Sequence, residues 1–384
     1  MSSADVVIDL GFGDSGKGHL VDHLASRSPE SSLVIRFSGG HQVGHTVVRN
    51  GRRHTFSNFG AGTLLGVPTY YLPDTTSFPP AALLERRLLA PVVPQLYVHP
   101  LAMITTPYDV AWNRLSERRN RHGSCGVGFG ATVERNLRGL SLTAKDLANR
   151  WVAAHKLRAV GAYYRDRGAD GAREPSSTAW PGDLDDDAFL DACAEWMAGV
   201  TLAGVGELPP SRPGLIFEGS QGIMLDQIHG IFPHVTRTDT TSRGALAFLA
   251  SIGWDRPVDI HYLTRCYQTR HGNGPMSATE PVRLVDPDDE ANVDNEFQGS
   301  LRIAELDLAL LDYALASDAA HHDLVDVRRH LVVTCVDQRP DVDLKPILRW
   351  AGSTMETVTF GHGPEAGDFA AIGPIAVLSP VGYP

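Results

Sequence analysis

Residues 6–18 read VVIDLGFGDSGKG and predict a strand, a phosphate-type turn and a helix in succession. An apolar run enters a glycine-rich turn, and residues 11–17 match the GxxxxGK part of a phosphate-binding loop. The residues that follow, 19–25, have helical spacing, so a bound phosphate would lie at a helix N-terminus. The structural alternative is a glycine turn that only joins a strand to a helix.

The loop differs from an ordinary phosphate loop at two positions. Gly18 stands where Ser or Thr normally follows the lysine, and Asp14 places a carboxylate inside the loop. A carboxylate there would repel a polyphosphate, unless it holds Mg²⁺ or takes a proton from a second substrate. Both differences argue against a plain P-loop NTPase or kinase.

The composition indicates a loop-rich enzyme with a large core. The chain has 384 residues, of which 42% are hydrophobic, with 38 glycines and 25 prolines. No apolar run has membrane-spanning length, and the N-terminus lacks the features of a signal peptide. The net charge of −11 argues against nucleic-acid binding. Four scattered cysteines without a CxxC pair favour a reducing, cytoplasmic location.

Short β-branched runs alternate with helical stretches along the chain. This pattern predicts a single α/β domain over residues 1–384, with a central mostly parallel sheet, a P-loop-like phosphate loop and insertions. Segments 165–187 and 286–298 are expected to be loops. The predicted strands are 5–10, 33–37, 214–217, 259–263 and 330–335. The predicted helices are 18–26, 80–88, 143–163, 187–198, 244–251 and 303–316.

Two further glycine-rich segments carry candidate functional groups. Residues 36–46 read RFSGGHQVGHT, in which a histidine could act as a general acid near neutral pH; a hairpin turn is the alternative. Residues 123–130 read GSCGVGFG and could present backbone amides to an anion, or form a flexible surface loop. Arg135 and Arg138 follow this segment and strengthen the anion hypothesis.

Polar groups also follow the later strands. Residues 217–222 read FEGSQG at a predicted strand end, where open α/β sheets bind ligands. Residues 236–242 are rich in hydroxyls that suit phosphate or base recognition, with a polar turn as the alternative. Asp337 follows a strand, where nucleotide-binding proteins often place a carboxylate for guanine; a helix cap or a turn residue is the alternative.

Together these segments resemble the adenylosuccinate synthetase family, in order and over most of the chain. That family carries the motifs GDEGKG, GGxNxGH, GTTGxGxGP, EGxQG and VTSSNTT. The matching segments here are GDSGKG at 13–18, GGHQVGH at 39–45, GSCGVGFG at 123–130, EGSQG at 218–222 and VTRTDTT at 235–241. The first two are the most specific.

The resemblance implies a two-step ligation with Mg²⁺. Phosphate moves from a nucleoside triphosphate to the 6-oxygen of a purine monophosphate, and the amine of L-aspartate then displaces it. Asp14 matches the base on purine N1, His45 matches the acid, and Lys17 would stabilise the phosphoryl oxygens. Mg²⁺ would be held partly by the Asp14 carboxylate and the Gly44 carbonyl.

The resemblance also implies binding positions and a homodimer, in which an arginine, Arg138 or Arg135, reaches the phosphate across the interface. For the triphosphate the positions are Gly13, Ser15, Gly16, Lys17, Gly18, Gly44, Thr46 and Asp337. For the purine monophosphate they are Asp14, Ser15, Gln42, Ser124, Cys125, Arg138, Gln221 and Thr236. For L-aspartate they are Gly299, Ser300 and Arg302.

Three differences from the family pattern affect specificity. Ser15 replaces an acid and leaves space near the purine, and only Arg302 survives from an arginine-rich run, which removes contacts to a ribose 2′-hydroxyl. Cys335 replaces a lysine, which makes ATP or dATP plausible beside GTP. The sequence thus resembles the phage branch that ligates L-aspartate to dGMP for 2-aminoadenine DNA, in which case the location is the host cytoplasm. An IMP- and GTP-dependent enzyme and a non-catalytic nucleotide-binding protein are the alternatives.

Overall fold

The structure is a computed structural model that describes residues 3–120, 122–171, 185–208, 214–287, 296–352 and 354–372. Its strands, in chain order, are β1 (Ser3–Asp9), β2 (Ser32–Arg36), β3 (His45–Arg49), β4 (Arg52–Phe56), β5 (Thr69–Tyr71), β6 (Thr76–Ser77), β7 (Leu96–Val98), β8 (Met103–Ile104), β9 (Val200–Leu202), β10 (Gly214–Glu218), β11 (Val258–Arg265), β12 (Gln268–His271), β13 (Leu301–Ala304), β14 (Val327–Thr334), β15 (Thr357–Gly361) and β16 (Phe369–Ile372).

The helices alternate with these strands along much of the chain. They are α1 (Lys17–Ser26), α2 (Pro79–Leu88), α3 (Pro107–Asn120), α4 (Phe129–Leu137), α5 (Arg150–Gly171), α6 (Asp186–Met197), α7 (Arg243–Ser251), α8 (Leu308–Ala319) and α9 (Lys345–Ala351). Among the described residues, no helix is long and apolar enough to cross a membrane.

One ten-stranded sheet organises the domain, in the order β16-β15-β14-β11-β1-β10-β2-β5-β7-β9. Every neighbouring pair in it is parallel except β15 and β16 at one edge. This confirms the predicted α/β fold with a mostly parallel sheet. The β3–β4 hairpin and the β12–β13 and β6–β8 pairs lie outside the sheet as insertions.

Helices cover both faces of the sheet, so its central strands are apolar on both sides. Along β1, Val6 and Ile8 pack into one core cluster that includes α7 and α8. Val7, which points to the opposite face, packs into a second cluster with α1, α5 and α6. The continuous apolar run before the phosphate loop therefore reflects a strand that is buried on both faces.

Two predicted helices were wrong at their starts. The helix predicted over 143–163 is a 3-10 turn, Ala144–Ala148, followed by α5, because the side chain of Asn149 accepts the amides of Trp151 and Val152 and begins a new helix. The helix predicted over 303–316 begins only at Leu308, after the cap residue Asp307, and Ile303 lies in β13.

Of the two predicted loops, 165–187 was wrong at its start. Helix α5 extends to Gly171 and so includes the first part of the segment expected to be a loop at 165–187; residues 172–184 lie outside the described residues. In the other predicted loop, 286–298, residues 288–295 lie outside the described residues. Helices α3, α4 and α9 were not predicted, since glycine, proline and charged residues obscure their periodicity.

Candidate active site

The carboxyl ends of the five central strands carry four charged residues and a threonine. β1 ends at Asp9, β10 at Glu218, β2 at Arg36, β11 at Arg265 and β14 at Thr334. All five side chains are buried, so each needs partners within the protein. Ligands bind at this edge of open parallel sheets.

The phosphate-type loop between β1 and α1 is held by two of these strand ends. Arg265 donates through Nε to the carbonyl of Asp14 at 2.7 Å, and the Thr334 hydroxyl donates to the carbonyl of Ser15 at 3.0 Å. Asp14 has a left-handed φ of 64°, which is costly for a residue with a side chain. Gly16 precedes α1, and no side chain caps that helix. The first amides of α1 can therefore face a ligand.

Asp14 lies inside this loop, where its environment favours a basic carboxylate. Burial raises its pKa above the usual range, while Arg265 and Lys17 oppose the shift. A carboxylate with a raised pKa accepts a proton more readily near neutral pH. The loop therefore carries a group that is suited to proton abstraction.

Lys17 begins α1 and connects two loops. Its ammonium donates to the carbonyl of Gln221 at 2.5 Å and lies 3.5 Å from the Asp9 carboxylate. Gln221 belongs to the turn after β10 and has a φ of 47°. The GDSGKG and EGSQG motifs therefore meet through Lys17 and Gln221, although these residues are 204 positions apart in the chain.

His45 begins β3 directly against the first turn of α1. A Cβ on Gly18 would lie only 2.6 Å from the Cβ of His45, so this approach requires a glycine. His45 donates through Nδ1 to Glu218 at 2.8 Å, and Arg36 lies 3.8 Å from the other oxygen of that carboxylate. Nε2 is therefore the ring nitrogen that can meet a substrate.

The His45–Glu218 pair is an acid–base unit in which burial and charge oppose each other. Burial lowers the pKa of His45, and Glu218 acts in the opposite direction. Burial raises the pKa of Glu218, but His45 and Arg36 outweigh it, so the net pKa is below the usual range. An ionised Glu218 would stabilise an imidazolium on His45 when a negative group approaches.

Residues of the GGHQVGH motif at 39–45 also contact the other loops of the site. Gln42 donates to the side-chain oxygen of Gln221 at 3.4 Å. His41 donates through Nε2 to the carbonyl of Val127 at 2.9 Å and accepts from the hydroxyl of Thr76 at 3.2 Å. Burial lowers the pKa of His41 to about 4, so it stays neutral and joins the glycine-rich loop at 123–130 to this edge.

The remaining residues expected at the triphosphate lie around the loop. Gly44 is exposed just before β3, and the Thr46 hydroxyl is hydrogen-bonded to that of Thr55 across the β3–β4 hairpin at 2.9 Å. Asp337 lies in a 3-10 turn, Val336–Gln338, where it accepts from the Gln338 side chain at 2.8 Å. This turn follows β14, whose end contacts Ser15.

The glycine-rich loop at 123–130 has its first amides occupied. Glu117 accepts the amides of Gly123 and Ser124 at 2.8 and 3.1 Å, and the Ser124 hydroxyl accepts from Asn113 at 2.7 Å. Burial raises the pKa of the Cys125 thiol, which keeps it neutral. In the described structure, the first two amides of the expected anion nest are therefore already paired.

The two candidate arginines after this loop differ completely in exposure. Arg135 is fully buried and donates to the Asp109 carboxylate at 2.8 Å and to the Leu140 carbonyl at 2.7 Å. Arg138 follows α4, has a side chain 56% exposed, and pairs with Glu134 at 3.3 Å. Of these two arginines, only Arg138 can reach another molecule.

The residues expected to bind the purine and L-aspartate lie on separate segments. The partly buried Thr236 donates its amide to the Leu225 carbonyl at 2.7 Å. Gly299 and Ser300 are exposed just before β13. Arg302 donates to the carbonyls of Gly272 and Gly274 at 2.6 and 2.8 Å, while its Nε is buried with no partner among the described residues. That donor suits a ligand.

Sequence reasoning missed Arg36, Glu218 and Arg265 as site residues. Arg36 and Glu218 each close a mostly apolar strand, and this signal was available in the sequence. Arg265 closes β11, in which Asp259 and His261 interrupt the apolar pattern. A charge at the end of a strand that is buried on both faces requires a partner, and such partners gather at the ligand-binding edge.

A mostly parallel sheet with a phosphate-type loop and buried acid–base groups at its carboxyl edge is the arrangement of α/β nucleotide-binding proteins. The family model for adenylosuccinate synthetase matches residues 6–320, and the chain belongs to that family. The adenylosuccinate synthetase of Pasteurella multocida is 31% identical over 290 residues, which cover 72% of this chain and 65% of that protein. That of Ectopseudomonas mendocina is 31% identical over 299 residues, which cover 73% and 65%. The match thus spans about two-thirds of these relatives.

Two solved structures share the fold. The fully ligated adenylosuccinate synthetase of Plasmodium falciparum superposes with a TM-score of 0.69 at 16% identity, covering 96% of this chain and 87% of that one. The succinoaminodeoxyadenylate synthetase of cyanophage S-2L, bound to dGMP and to dATP as an energy donor, gives a TM-score of 0.67 at 20% identity, covering 98% and 97%.

Proposed function

We propose that this protein is a C–N ligase that joins L-aspartate to C6 of dGMP, with hydrolysis of a nucleoside triphosphate and through a 6-phosphoryl intermediate. The product would be N6-succino-2-amino-2′-deoxyadenylate, for diaminopurine DNA. The observation that carries the ligase reaction is the convergence of Asp14, Lys17 and the His45–Glu218 pair at one sheet edge. Family membership supports the same reaction class.

In the first step, Asp14 takes the N1 proton of the purine and so makes O6 nucleophilic. O6 attacks the γ-phosphorus, and the bond to the nucleoside diphosphate breaks. The raised pKa of Asp14, which burial causes, favours this proton transfer. Lys17 and the first amides of α1 stabilise the transferring phosphoryl oxygens.

In the second step, the amine of L-aspartate attacks C6 and the C6–O bond breaks, and the phosphate that leaves takes the proton that the amine loses. His45 neutralises charge on O6 and on the phosphoryl group through Nε2. Glu218 supports this role, because it holds Nδ1 and favours the imidazolium. Arg302, with its unpartnered Nε, is the proposed cation for the aspartate carboxylates.

The residues present fit Mg²⁺. The donors are hard oxygens, the Asp14 carboxylate and the Gly44 carbonyl. Gly44 directly precedes His45, and the contact of His45 with Gly18 places the start of β3 against the loop that carries Asp14. Among the described residues, no group of three or more metal-ligating side chains forms a cage. This suits Mg²⁺, which keeps waters and substrate phosphates as ligands. When bound, it would neutralise charge on the triphosphate.

The choice of dGMP over IMP rests on Ser15. This residue is buried beside Asp14 and is small and neutral, so the purine 2-amino group has space. The shared fold with the cyanophage S-2L enzyme, which binds dGMP, supports the same choice. The run at 297–302 keeps only Arg302 of the family's arginines, and the loss of the others removes contacts to a ribose 2′-hydroxyl, which favours a deoxynucleotide.

The donor is proposed to be ATP or dATP, since Cys335 replaces the family's lysine beside Asp337, whereas Asp337 itself would suit GTP.

A homodimer is proposed, in which the exposed Arg138 of one protomer reaches the phosphate of dGMP bound to its partner. The other proposed purine contacts, Gln42 and Gln221, already touch each other.

The test is an end-point assay with L-aspartate, Mg²⁺ and either ATP or GTP, in which dGMP, GMP and IMP are compared by mass spectrometry. A succinylated product from dGMP but not from IMP supports the proposal. A product from IMP alone identifies an ordinary adenylosuccinate synthetase. Binding of dGMP without any product would favour a non-catalytic nucleotide-binding protein.

A further inference from the structure

Asp9 is a buried carboxylate beneath the phosphate-type loop, and four donors converge on it. Its Oδ1 accepts the amides of Gly11 at 2.8 Å and Gly13 at 3.4 Å. Its Oδ2 accepts the amide of Ser15 at 3.2 Å and lies 3.5 Å from the Lys17 ammonium. Asp9 is 1% exposed, so water cannot replace these donors. A loop of the kind that binds phosphate is thus arranged around an anion of its own chain.

The Lys17 ammonium has three donor positions. One faces the Asp9 carboxylate and a second meets the carbonyl of Gln221 at 2.5 Å. With two positions fixed by buried groups, the third has a defined direction. An unrestrained lysine, in contrast, samples many rotamers and loses entropy when it binds a ligand.

We propose that Asp9 is a positioning residue, which orients the Lys17 ammonium toward the phosphate groups of the triphosphate. The amides of Gly11, Gly13 and Ser15 point at Asp9 and not at the ligand, and through them Asp9 fixes the loop that leads to Lys17. Asp9 itself does not touch the substrate. Its charge is neutralised by Lys17 and by the three amides, so it does not repel the ligand while that pairing is intact. This inference rests on the proposed role of Lys17, but it is independent of which purine is the substrate.

The experiment measures binding of inorganic tripolyphosphate with Mg²⁺ by calorimetry in four proteins: wild type, Asp9→Asn, Lys17→Met and the double variant. Asp9→Asn is expected to weaken binding about tenfold when Lys17 is present, because the ammonium loses its charged partner. In the Lys17→Met background, the same change should leave affinity unchanged or increase it, because it removes an unpaired negative charge.

If Asp9 only stabilised the fold, Asp9→Asn would weaken binding equally in the wild-type and Lys17→Met backgrounds, and that result would overturn the proposal. Equal affinity of wild type and Asp9→Asn would also overturn it. Asp5→Asn, on the same strand but paired with His261, is the matched control and should bind like wild type. With turnover, Asp9→Asn should lower kcat more than it raises KM for the triphosphate.

A second measurement does not depend on the Asp9 variant folding. A crystal structure of the wild type with Mg²⁺ and tripolyphosphate should show the Lys17 ammonium within about 4 Å of both the Asp9 carboxylate and a phosphate oxygen. An ammonium that leaves Asp9 to reach the phosphate would contradict the proposal. If the wild type does not bind tripolyphosphate, this inference and the proposed triphosphate site both fail; absence of product from dGMP with binding intact affects the proposed function alone.

Discussion

At the carboxyl edge of the central strands, buried charges hold a side chain and a loop that we propose for catalysis, whereas in the segment from α3 to α4 they hold loop amides and pair with one another. Glu218 fixes the ring of His45, and Arg265 fixes the loop that carries Asp14. In the α3–α4 segment, Glu117 takes two loop amides, and the buried Arg135 pairs with Asp109. We therefore propose that the buried charges serve catalysis in the first region and folding in the second.

The motifs that match the family most specifically also have side chains that are held by hydrogen bonds at the site. The two most specific motifs lie at the strand-end region, where Lys17, Gln42 and His45 each have a directional partner. The weaker match lies at 123–130, where partners within the protein already accept the amides of Gly123, Ser124 and Gly128. Changing one partner in each region should therefore alter different observables.

Asp14→Asn and His45→Ala should each abolish turnover, with a loss of at least about 10³-fold, because they remove the base and the acid. Product formation by mass spectrometry and thermal unfolding should be measured together. The exposed His155→Ala on α5 is the matched control and should keep wild-type rates. Wild-type rates in either site variant would refute the catalytic assignment.

Glu218→Gln should lower kcat about 100-fold, since the imidazolium of His45 loses its charged partner while the shape of the site is kept. Glu117→Gln is the corresponding change in the α3–α4 segment and should act mainly on KM for dGMP, through the 123–130 loop. Steady-state kinetics of both variants test the contrast. Equal losses of kcat would show that the two regions do not differ as described.

Arg138→Ala should raise KM for dGMP about tenfold, because a charged contact to the phosphate is lost. If Arg138 acts on the partner's site, mixing Arg138→Ala with Asp14→Asn after exchange of subunits should restore activity when dGMP is kept below the wild-type KM, where Arg138→Ala alone is slow. Random pairing predicts about a quarter of the wild-type sites. No recovery, in mixtures that analytical ultracentrifugation shows to be dimeric, would place Arg138 outside the partner's site.

His41 should make folding stability depend on pH. Burial lowers its pKa to about 4, below the 6.5 of an unperturbed histidine, so the unfolded chain binds the proton more tightly. Stability is therefore retained above pH 6.5 and falls as the pH approaches 4. The loss attributable to His41 between pH 7 and pH 5 is about 2 kcal/mol. Urea unfolding of wild type and His41→Asn at both pH values should show it, whereas His155→Asn should behave like wild type.

The sheet, the phosphate-type loop and the family could all be predicted from the amino-acid sequence. These follow from residues that are adjacent in the chain, such as the apolar run of β1 entering its glycine turn. The starts of α5 and α8 were misjudged, because the capping side chains of Asn149 and Asp307 outweighed the apolar spacing.

The contacts between side chains that are far apart in the chain could be seen only in the folded structure. His45 and Glu218 are 173 positions apart, and no spacing rule links them. Arg135 and Arg138 look equivalent in sequence, yet packing buries the first and exposes the second. Burial and partnership depend on segments that fold against each other, and the free energy of a buried charge is set by those neighbours rather than by its position in the chain.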